Sequence, residues 1–306
     1  MKRIHALAVL SLLAFSPLAF AWNDFGHMAV AEIAYKHLTP AARARAAALL
    51  KLNPSYPDWV KGVAAADQDE TAFLMAATWP DEIKRRSDYV DDGEHPSGPT
   101  AAQNIGYADK LMHRYWHFID LPFSPDGTPL ANPVKPNAQT QIYAFRLTLL
   151  SSKASDALKS YDLAWLLHLA GDVHQPLHAT SRFTQGLPKG DAGGNKVALC
   201  APPCRDELHA FWDDVLGTSR SVAQVKAFAA SLAPADPKRV AVTAGSRWVA
   251  ESFRAAKASA YAAPVGTGGG PYTLDDAYKA AALKLAKQRA ELAGERLARI
   301  LNAALK

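Results

Sequence analysis

Two histidine–aspartate pairs with the same spacing are the strongest chemical signal in the sequence. His168 and Asp172 stand four residues apart in the apolar stretch YDLAWLLHLAGDVHQPLHA, and His209 and Asp213 repeat that spacing in DELHAFWDDVLG. Residues four apart share one face of a helix. A buried aspartate needs a cation or several hydrogen-bond donors, because an isolated carboxylate is costly in an apolar interior. Each pair is therefore either a buried ion pair or part of a metal site.

His178, at the end of the first stretch, and two further segments add nitrogen and oxygen donors to this inventory. His178 follows the first pair, ATWPDEIKRRSD contains Asp81 and Lys84, and HRYWHFIDLPF contains His117 and Asp120. Each segment is a weak signal alone, because Asp81 also fits a helix cap and His117 also fits an ordinary half-buried histidine. Together they form a nitrogen and oxygen donor set of the kind that suits zinc.

The stretch FAWNDFGHMAVAEIAYKH, at residues 20–37, joins an export signal to another candidate ligand. A basic start, an apolar run and a small-x-small triplet make residues 1–21 typical of a secretory signal peptide. We expect cleavage after Ala21, which leaves Trp22 as the first residue. Its new α-amino group would have a pKa of about 8, so a metal can displace the proton near neutral pH. The alternative is that Trp22 only packs against the core.

Composition limits the possible partners. The chain has 306 residues, of which 49% are hydrophobic, enough for the core of one large domain. Loss of Lys2 and Arg3 with the signal lowers the formal charge from +5 to about +3. Such a small excess does not favour a broad electrostatic grip on duplex DNA, so an anionic partner would be held locally. No later segment has the ~18 apolar residues of a membrane span, so we expect no membrane anchor.

The two cysteines, Cys200 and Cys204 in CAPPC, are close enough to close a small ring. Export implies an oxidising compartment, which favours a disulfide between them. The alternative, a structural zinc site, is less favoured because the segment has no neighbouring histidine or further cysteine.

The elements that must position these residues are predicted to be helices. We expect one helix over residues 23–37 and a second that begins after Thr39, with Pro40 in its first turn. Two more are expected over residues 241–263 and from Thr273 to the C-terminus. The aromatic segment RYWHFI, from Arg114 to Ile119, is the best candidate for a short strand. The fold class is therefore predicted to be mainly α, a single-domain multi-helix bundle over residues 22–306 with few short strands and a metal site in a cleft.

In their order, these motifs resemble the zinc-dependent nucleases of the S-one/P-one type, a family of exported fungal, plant and bacterial proteins. The family pattern runs from an N-terminal Trp with a His five residues on, through Trp-x-Asp-x-x-Lys, His-Phe-x-Asp, His-x-x-x-Asp, Gln-Pro-Leu-His and Gly-Gly-Asn, to a last His-x-x-x-Asp. The matching residues here are Trp22, His27, Asp81, Lys84, His117, Asp120, His168, Asp172, His178, Gly193 to Asn195, His209 and Asp213. The likeness covers the chain from Trp22 to about Asp213.

This resemblance implies three zinc ions. One would be held by Asp81, His117, His168 and Asp172, one by His178, His209 and Asp213, and one by Trp22, His27 and a shared Asp172. Three divalent cations against three carboxylates leave an excess near +3, which suits an anionic phosphodiester. Cleavage of the signal would then create a metal ligand at Trp22.

The resemblance also implies a reaction, the hydrolysis of single-stranded DNA and RNA by zinc-activated water with release of 5′-phosphates. Nucleotides, including 3′-nucleotides, are further candidate substrates. Asp120 would orient or deprotonate the water, and Lys84 and Asn195 would stabilise charge on the phosphoryl oxygens. Phe118 would stack on a nucleobase, which favours single strands, or else simply pack in the core.

Two other classes compete with the nuclease interpretation. The distantly related zinc phospholipases C also use an N-terminal Trp and three zincs, but their first His lies farther from that Trp and their last motif ends in Glu where this chain has Asp213. A non-enzymatic exported zinc-binding protein would have no reason to keep Lys84, Asp120 and Asn195. We expect a periplasmic or secreted enzyme without an obligate protein partner.

Two histidines, His113 and His174, match no ligand of the family pattern. The sequence leaves the role of His113 open. For His174 it favours either a hydrogen-bonded place in the core or support of a ligand.

Overall fold

Helices dominate the computed structural model, which describes residues 22–306; the expected signal peptide lies outside the described residues. The α-helices are α1 (Asp24–His37), α2 (Pro40–Leu50), α3 (Tyr56–Trp59), α4 (Gln68–Ala76), α5 (Trp79–Glu82), α6 (Ala138–Leu150), α7 (Asp156–Asp172), α8 (Leu208–Asp214), α9 (Val222–Ala230), α10 (Pro237–Val240), α11 (Gly245–Ala255) and α12 (Asp276–Ala304). Short 3₁₀ helices span Ala65–Asp67, Ile83–Arg85, Pro99–Ala102, Gly106–Ala108, Arg114–Trp116 and Pro176–Ala179, and a π-helical turn spans Ala256–Ala260. The predicted mainly α fold class is confirmed.

The helix start at Thr39 follows the predicted capping chemistry, whereas the last helix begins three residues later than the predicted start at Thr273. The Thr39 hydroxyl accepts a hydrogen bond from the Ala42 N–H at 3.2 Å, with Pro40 at the first helical position. The last helix begins at Asp276, because the carboxylate of Asp275 accepts from the Tyr278 N–H at 2.7 Å. These side chains satisfy N–H groups that have no partner within the helix.

Helix α7 is the centre of the fold. It is buried from Ser160 to Asp172 and packs against α6, α2, α1 and α12. The Trp165 indole lies edge-on to Trp79 and Trp116, with ring centroids 6.3 and 5.0 Å away. Because α7 is covered on every side, the polar residues at its C-terminal end are held in a rigid and largely apolar setting.

The prediction of a strand at Arg114–Ile119 is wrong. Residues Arg114–Trp116 form a 3₁₀ turn, closed by a bond from the Trp116 N–H to the His113 carbonyl at 2.8 Å. Tyr115 and Trp116 are both buried, so adjacent rings enter the core from a turn rather than alternating across a strand. The two-residue strands β1 (Pro122–Phe123) and β2 (Ser181–Arg182), which pair in parallel, are the sheet of the described residues.

A disulfide joins Cys200 to Cys204, as predicted. It lies in the long loop before α8. Between residues 22 and 306, no helix combines the length and the apolar character needed to cross a bilayer.

Candidate metal centre

His178 and His209 face each other through their Nε2 atoms. The Nδ1 of His178 donates to the His117 carbonyl at 2.8 Å, and the Nδ1 of His209 donates to the Gly193 carbonyl at 2.7 Å. In a neutral imidazole the other nitrogen is then an acceptor, so both Nε2 atoms present lone pairs, 3.1 Å apart. The Asp213 carboxylate lies 3.5 Å from the His209 Nε2. Two facing lone pairs repel each other, and a cation bound between them and the carboxylate would remove that repulsion.

A second group forms at the C-terminal end of α7. The Asp172 Oδ2 lies 3.2 Å from both the His168 Nε2 and the His117 Nδ1, and the Asp81 Oδ1 lies 3.8 Å from the same two nitrogens. His168 is oriented by its Nδ1, which donates to the Ala77 carbonyl at 2.8 Å. Four predicted ligands from different parts of the chain therefore converge.

His27 approaches the same carboxylate from helix α1. Its Nε2 lies 3.3 Å from the Asp172 Oδ1, and its ring stacks on His168 with centroids 3.8 Å apart. A Cβ at Gly171 would come within 2.8 Å of the His27 Nδ1, so the α7 backbone must lack a side chain there. Asp172 thus lies between His27 and His168, as a shared ligand would.

Trp22 is completely buried next to α1. Its Cβ lies where a side chain at Gly26 would clash, at 2.6 Å. The next residue, Asn23, donates its backbone N–H to the Asp213 carbonyl at 3.3 Å and caps α1 with its side chain. The start of the described chain is therefore fixed beside α8, which carries Asp213. Whether the Trp22 amine binds a metal stays a prediction.

Burial and neighbouring charges shift the pKa values of the titratable side chains in this cluster. Burial and the nearby Lys84 ammonium lower the pKa of His117 to about 3. Burial alone would raise the pKa of Asp172, but His168, His117 and His27 overcome it and hold that pKa well below its usual range. Burial raises the pKa of Asp213 well above its usual range. Asp213 therefore lacks a sufficient positive partner among the described side chains.

Several buried polar atoms of the cluster have no hydrogen-bond partner in the described structure. They are both ring nitrogens of His27, Nε2 of His117 and both carboxylate oxygens of Asp172. Such atoms are costly unless something binds them. Imidazole nitrogens and carboxylate oxygens without thiolate are a donor set that zinc accepts, so the residues present fit a zinc centre.

Lys84 lies inside the cluster rather than at its edge. Its ammonium is 2.7 Å from the Asp81 Oδ1, and both side chains are almost fully buried. Burial alone would raise the pKa of Asp81, but Lys84 and His168 hold it below its usual value. Lys84, the side chain predicted to stabilise phosphoryl charge, thus lies next to the predicted metal ligand Asp81.

Asp120 lies on a segment that runs alongside His178. The Ile119 N–H donates to the His178 carbonyl at 2.8 Å, and the pairing continues into β1 and β2. Burial, with the Asp191 carboxylate as the next contribution, raises the pKa of Asp120 to about 7. A carboxyl group that gains or loses its proton near neutral pH is suited to general acid–base work. Phe118, on the same segment, is only partly buried and packs against the main core.

The Gly-Gly-Asn loop orients His209 through the Gly193 carbonyl. Gly193 has φ of +61°, and a Cβ there would lie 2.5 Å from the Leu177 carbonyl, so glycine is required. The Asn195 amide donates to the Ala192 carbonyl at 2.6 Å, while its Oδ1 has no hydrogen-bond partner in the described structure. One N–H of this amide therefore remains for a further acceptor.

Sequence reasoning missed two supporting residues. The Gln175 side chain donates to the Asp213 Oδ1 at 2.8 Å, and Asp191 accepts the Arg182 N–H at 2.9 Å beside the strand pair. Both stand within or beside motifs that the sequence did flag, QPLH and GGN, and that proximity was the available signal.

The two unassigned histidines lie outside these groups. His113 bonds to the Asp109 carboxylate at 2.9 Å and stacks on Trp116 with centroids 3.6 Å apart. His174 donates from Nδ1 to the Ala170 carbonyl at 2.7 Å and lies 3.1 Å from the Arg296 guanidinium. His174 therefore occupies a hydrogen-bonded place in the core, one of its two predicted roles.

Comparison with known proteins gives one consistent result. The family described as S1/P1 Nuclease matches residues 22–306. Endonuclease 3 of Arabidopsis thaliana is 26% identical over 219 residues, which are 70% of this chain and 60% of the relative. Nuclease S1 of Aspergillus oryzae is 26% identical over 66% of this chain and 56% of the relative, and Nuclease P1 of Penicillium citrinum is 22% identical over 63% and 57%. The matched region thus spans less than two thirds of these relatives.

Proposed function

Because the chain belongs to the S1/P1 nuclease family, we propose that it is a zinc-dependent phosphodiesterase that hydrolyses single-stranded DNA and RNA. The names of its relatives, Nuclease S1 and Nuclease P1 among them, support nucleic acid as the substrate class. Nucleotides, including 3′-nucleotides, are the smaller members of the same chemical class. The products would carry 5′-phosphates.

The observation that carries this proposal is the pair of facing Nε2 atoms of His178 and His209, 3.1 Å apart. Around a tetrahedral zinc with Zn–N bonds near 2.0–2.1 Å, two nitrogens lie roughly 3.3 Å apart. The backbone carbonyls that accept from both Nδ1 atoms orient the two rings so that their Nε2 lone pairs point towards each other. The spacing is compatible with a shared metal, and because each Nδ1 donates to a carbonyl, neither neutral ring has a hydrogen on Nε2 for a bond between the two.

We assign the metal ligands in three sets. They are Asp81, His117, His168 and Asp172; His178, His209 and Asp213; and the Trp22 amine and carbonyl with His27 and Asp172. When bound, zinc ions supply Lewis acidity and an activated water near neutral pH. The assignment rests on the buried atoms of His27, His117 and Asp172 that have no hydrogen-bond partner, and on ligand groups that contain no thiolate.

The chain's own residues would then do three tasks. Asp120 accepts a proton from the attacking water, since its pKa of about 7 leaves much of it ionised near neutral pH. Lys84 and the free N–H of Asn195 donate to phosphoryl oxygens as negative charge develops on them. Phe118, which is partly exposed, offers a ring for an unpaired base, and base stacking favours single strands.

Export is part of the same proposal. Cleavage after Ala21 would expose the Trp22 amine next to α8, and the Cys200–Cys204 disulfide fits an oxidising compartment. A periplasmic or secreted enzyme could therefore complete its third metal set only after processing.

One assay tests the function. The processed protein is incubated with single-stranded DNA, duplex DNA, RNA, 3′-AMP and phosphatidylcholine, with zinc and with a chelator. We expect cleavage of the single-stranded substrates at a higher rate than of the duplex, and loss of that activity with the chelator. Phosphatidylcholine hydrolysis without nucleic-acid cleavage would identify a phospholipase instead. Zinc binding without hydrolysis of any substrate would indicate a non-enzymatic zinc protein.

A further inference from the structure

We propose a separate divalent-metal site, outside the nuclease cluster, where helix α1 ends against α12. His37, Glu291 and Glu295 each offer one ligand atom there, and these atoms lie within 4.8 Å of one another. We infer that the site takes Zn²⁺ and fastens the two helices together. The site goes beyond the proposed nuclease function and does not depend on it.

The packing of the two helices creates this group. A Cβ at Gly294 would lie 2.5 Å from the Ile33 Cβ, so α12 approaches α1 closely at that point. Further along, the Asn302 amide donates to the His37 carbonyl at 2.9 Å, which fixes the end of α1. Glu291 and Glu295 share one face of α12 because they stand four residues apart.

Glu291 is the observation that points to a ligand. It is only 7% exposed, yet its Oε2 has no hydrogen-bond partner in the described structure. The Lys36 ammonium, one residue before His37, is 3.0 Å from the Glu32 carboxylate on α1. A buried carboxylate oxygen without a hydrogen-bond partner, beside a second carboxylate, is costly unless a cation binds it.

The other two residues are arranged as ligands with access to solvent. Glu295 is oriented by the Ala235 N–H, which donates to its Oε1 at 2.8 Å, and so its other oxygen is available. The exposed His37 imidazole can adjust its rotamer at low cost to close the remaining distance. One imidazole and two carboxylates, with water completing the shell, suit zinc better than magnesium or calcium, which prefer oxygen ligands.

The experiment measures zinc content and thermal stability of the processed enzyme, loaded with its tightly bound metal, as Zn²⁺ is added. We expect the melting temperature to rise with Zn²⁺, and the wild type to bind one more zinc than Glu291→Gln or His37→Ala. Both variants should lose the added stabilisation, with at least about tenfold weaker binding at this site. Addition of Ca²⁺ or Mg²⁺ should give little or no shift.

Controls separate metal binding from folding and from catalysis. His95→Ala removes another exposed histidine, one outside every candidate metal group, and should keep the zinc-dependent shift. Without added metal, Glu291→Gln should be no less stable than the wild type, since it removes one of two adjacent carboxylates. Nuclease activity on single-stranded DNA should be the same in all three variants.

The proposal is overturned if the wild type shows no zinc-dependent shift, or if Glu291→Gln keeps the same shift and zinc count. A Ca²⁺ shift as large as that of Zn²⁺ would overturn the choice of metal. None of these outcomes bears on the nuclease assay, in which the catalytic metal sets are tested separately.

Discussion

At the scale of single residues, Asp120 is the side chain to which we assign the most direct chemical role. Its pKa of about 7 results first from burial and then from Asp191, a residue that sequence reasoning did not single out. The acid is protonated in the folded protein below that value and ionised above it. A general base at this position is therefore switched on as the pH rises through neutrality. Bound cations nearby would move that midpoint downward.

We predict that Asp120→Asn keeps its zinc and loses a factor of about 10² to 10⁴ in rate, the range typical of general acid–base groups. The acid limb of the wild-type pH–rate profile, with its midpoint at or below about pH 7, should be absent from the residual activity. Zinc analysis and kcat/KM against pH are the measurements. Asp58→Asn, at an exposed aspartate on α3, is the control. A fully active, zinc-replete Asp120→Asn protein would show that another group activates the water.

At the scale of elements, the turn Pro176–Ala179 and the loop at Gly193 jointly orient two histidines. The Gly193 carbonyl holds His209, and the Leu177 carbonyl fills the space where a side chain at Gly193 would stand. Beneath the turn, the Arg289 guanidinium on α12 donates to the His174 carbonyl at 3.0 Å. The candidate metal ligands are thus oriented by backbone groups as well as by other side chains.

Gly193→Ala should weaken this support. The new Cβ would clash with backbone at a φ of +61°, which costs about 1–3 kcal/mol and turns the carbonyl away from His209. We expect lower zinc content and lower nuclease activity, with a lower free energy of unfolding in urea. Gly186→Ala has open space and ordinary backbone, so it should change stability by less than about 0.5 kcal/mol. Equal zinc content in both variants would argue against the role of the loop.

At the scale of the whole molecule, helix α1 links the start of the described residues to the last helix. The start of the described chain is fixed to α8 through Asn23, and the last helix packs along α1 from Ile33 to His37. The proposed third metal set uses one end of α1 through His27, and the proposed new site uses the other end. Export, metal loading and stability are therefore expected to be linked through this helix.

A chain with one extra residue before Trp22 tests that linkage. The added residue converts the terminal amine into an amide nitrogen, a very poor ligand, so this protein should bind one zinc fewer than the processed form and lose most activity. Trp22→Phe, correctly processed, should keep the zinc, because the amine and carbonyl belong to the backbone, and should lose mainly packing against Gly26. Metal analysis and activity are compared for the three forms. Equal zinc in the extended and processed proteins would make Trp22 only a core residue.

The sequence by itself determined the features that depend on local spacing. The four-residue His–Asp spacings predicted shared helix faces, Thr39 predicted a helix start, and CAPPC predicted a disulfide, because each depends on neighbours along the chain. The ordered motifs also predicted which side chains to examine for metal binding. Their roles as ligands are not settled by spacing.

The tertiary structure decided what depends on distant contacts. It brought His178 to 3.1 Å from His209, 31 residues on, and it placed Arg296 beside His174, 122 residues away. It also folded Arg114–Trp116, the first half of the aromatic segment Arg114–Ile119, into a 3₁₀ turn, although the composition of the segment favours a strand. Burial of its rings outweighs local propensity, because core packing contributes more than the preference of single residues. The convergence of α1 and α12 on Glu291 has no local sequence signal for the same reason.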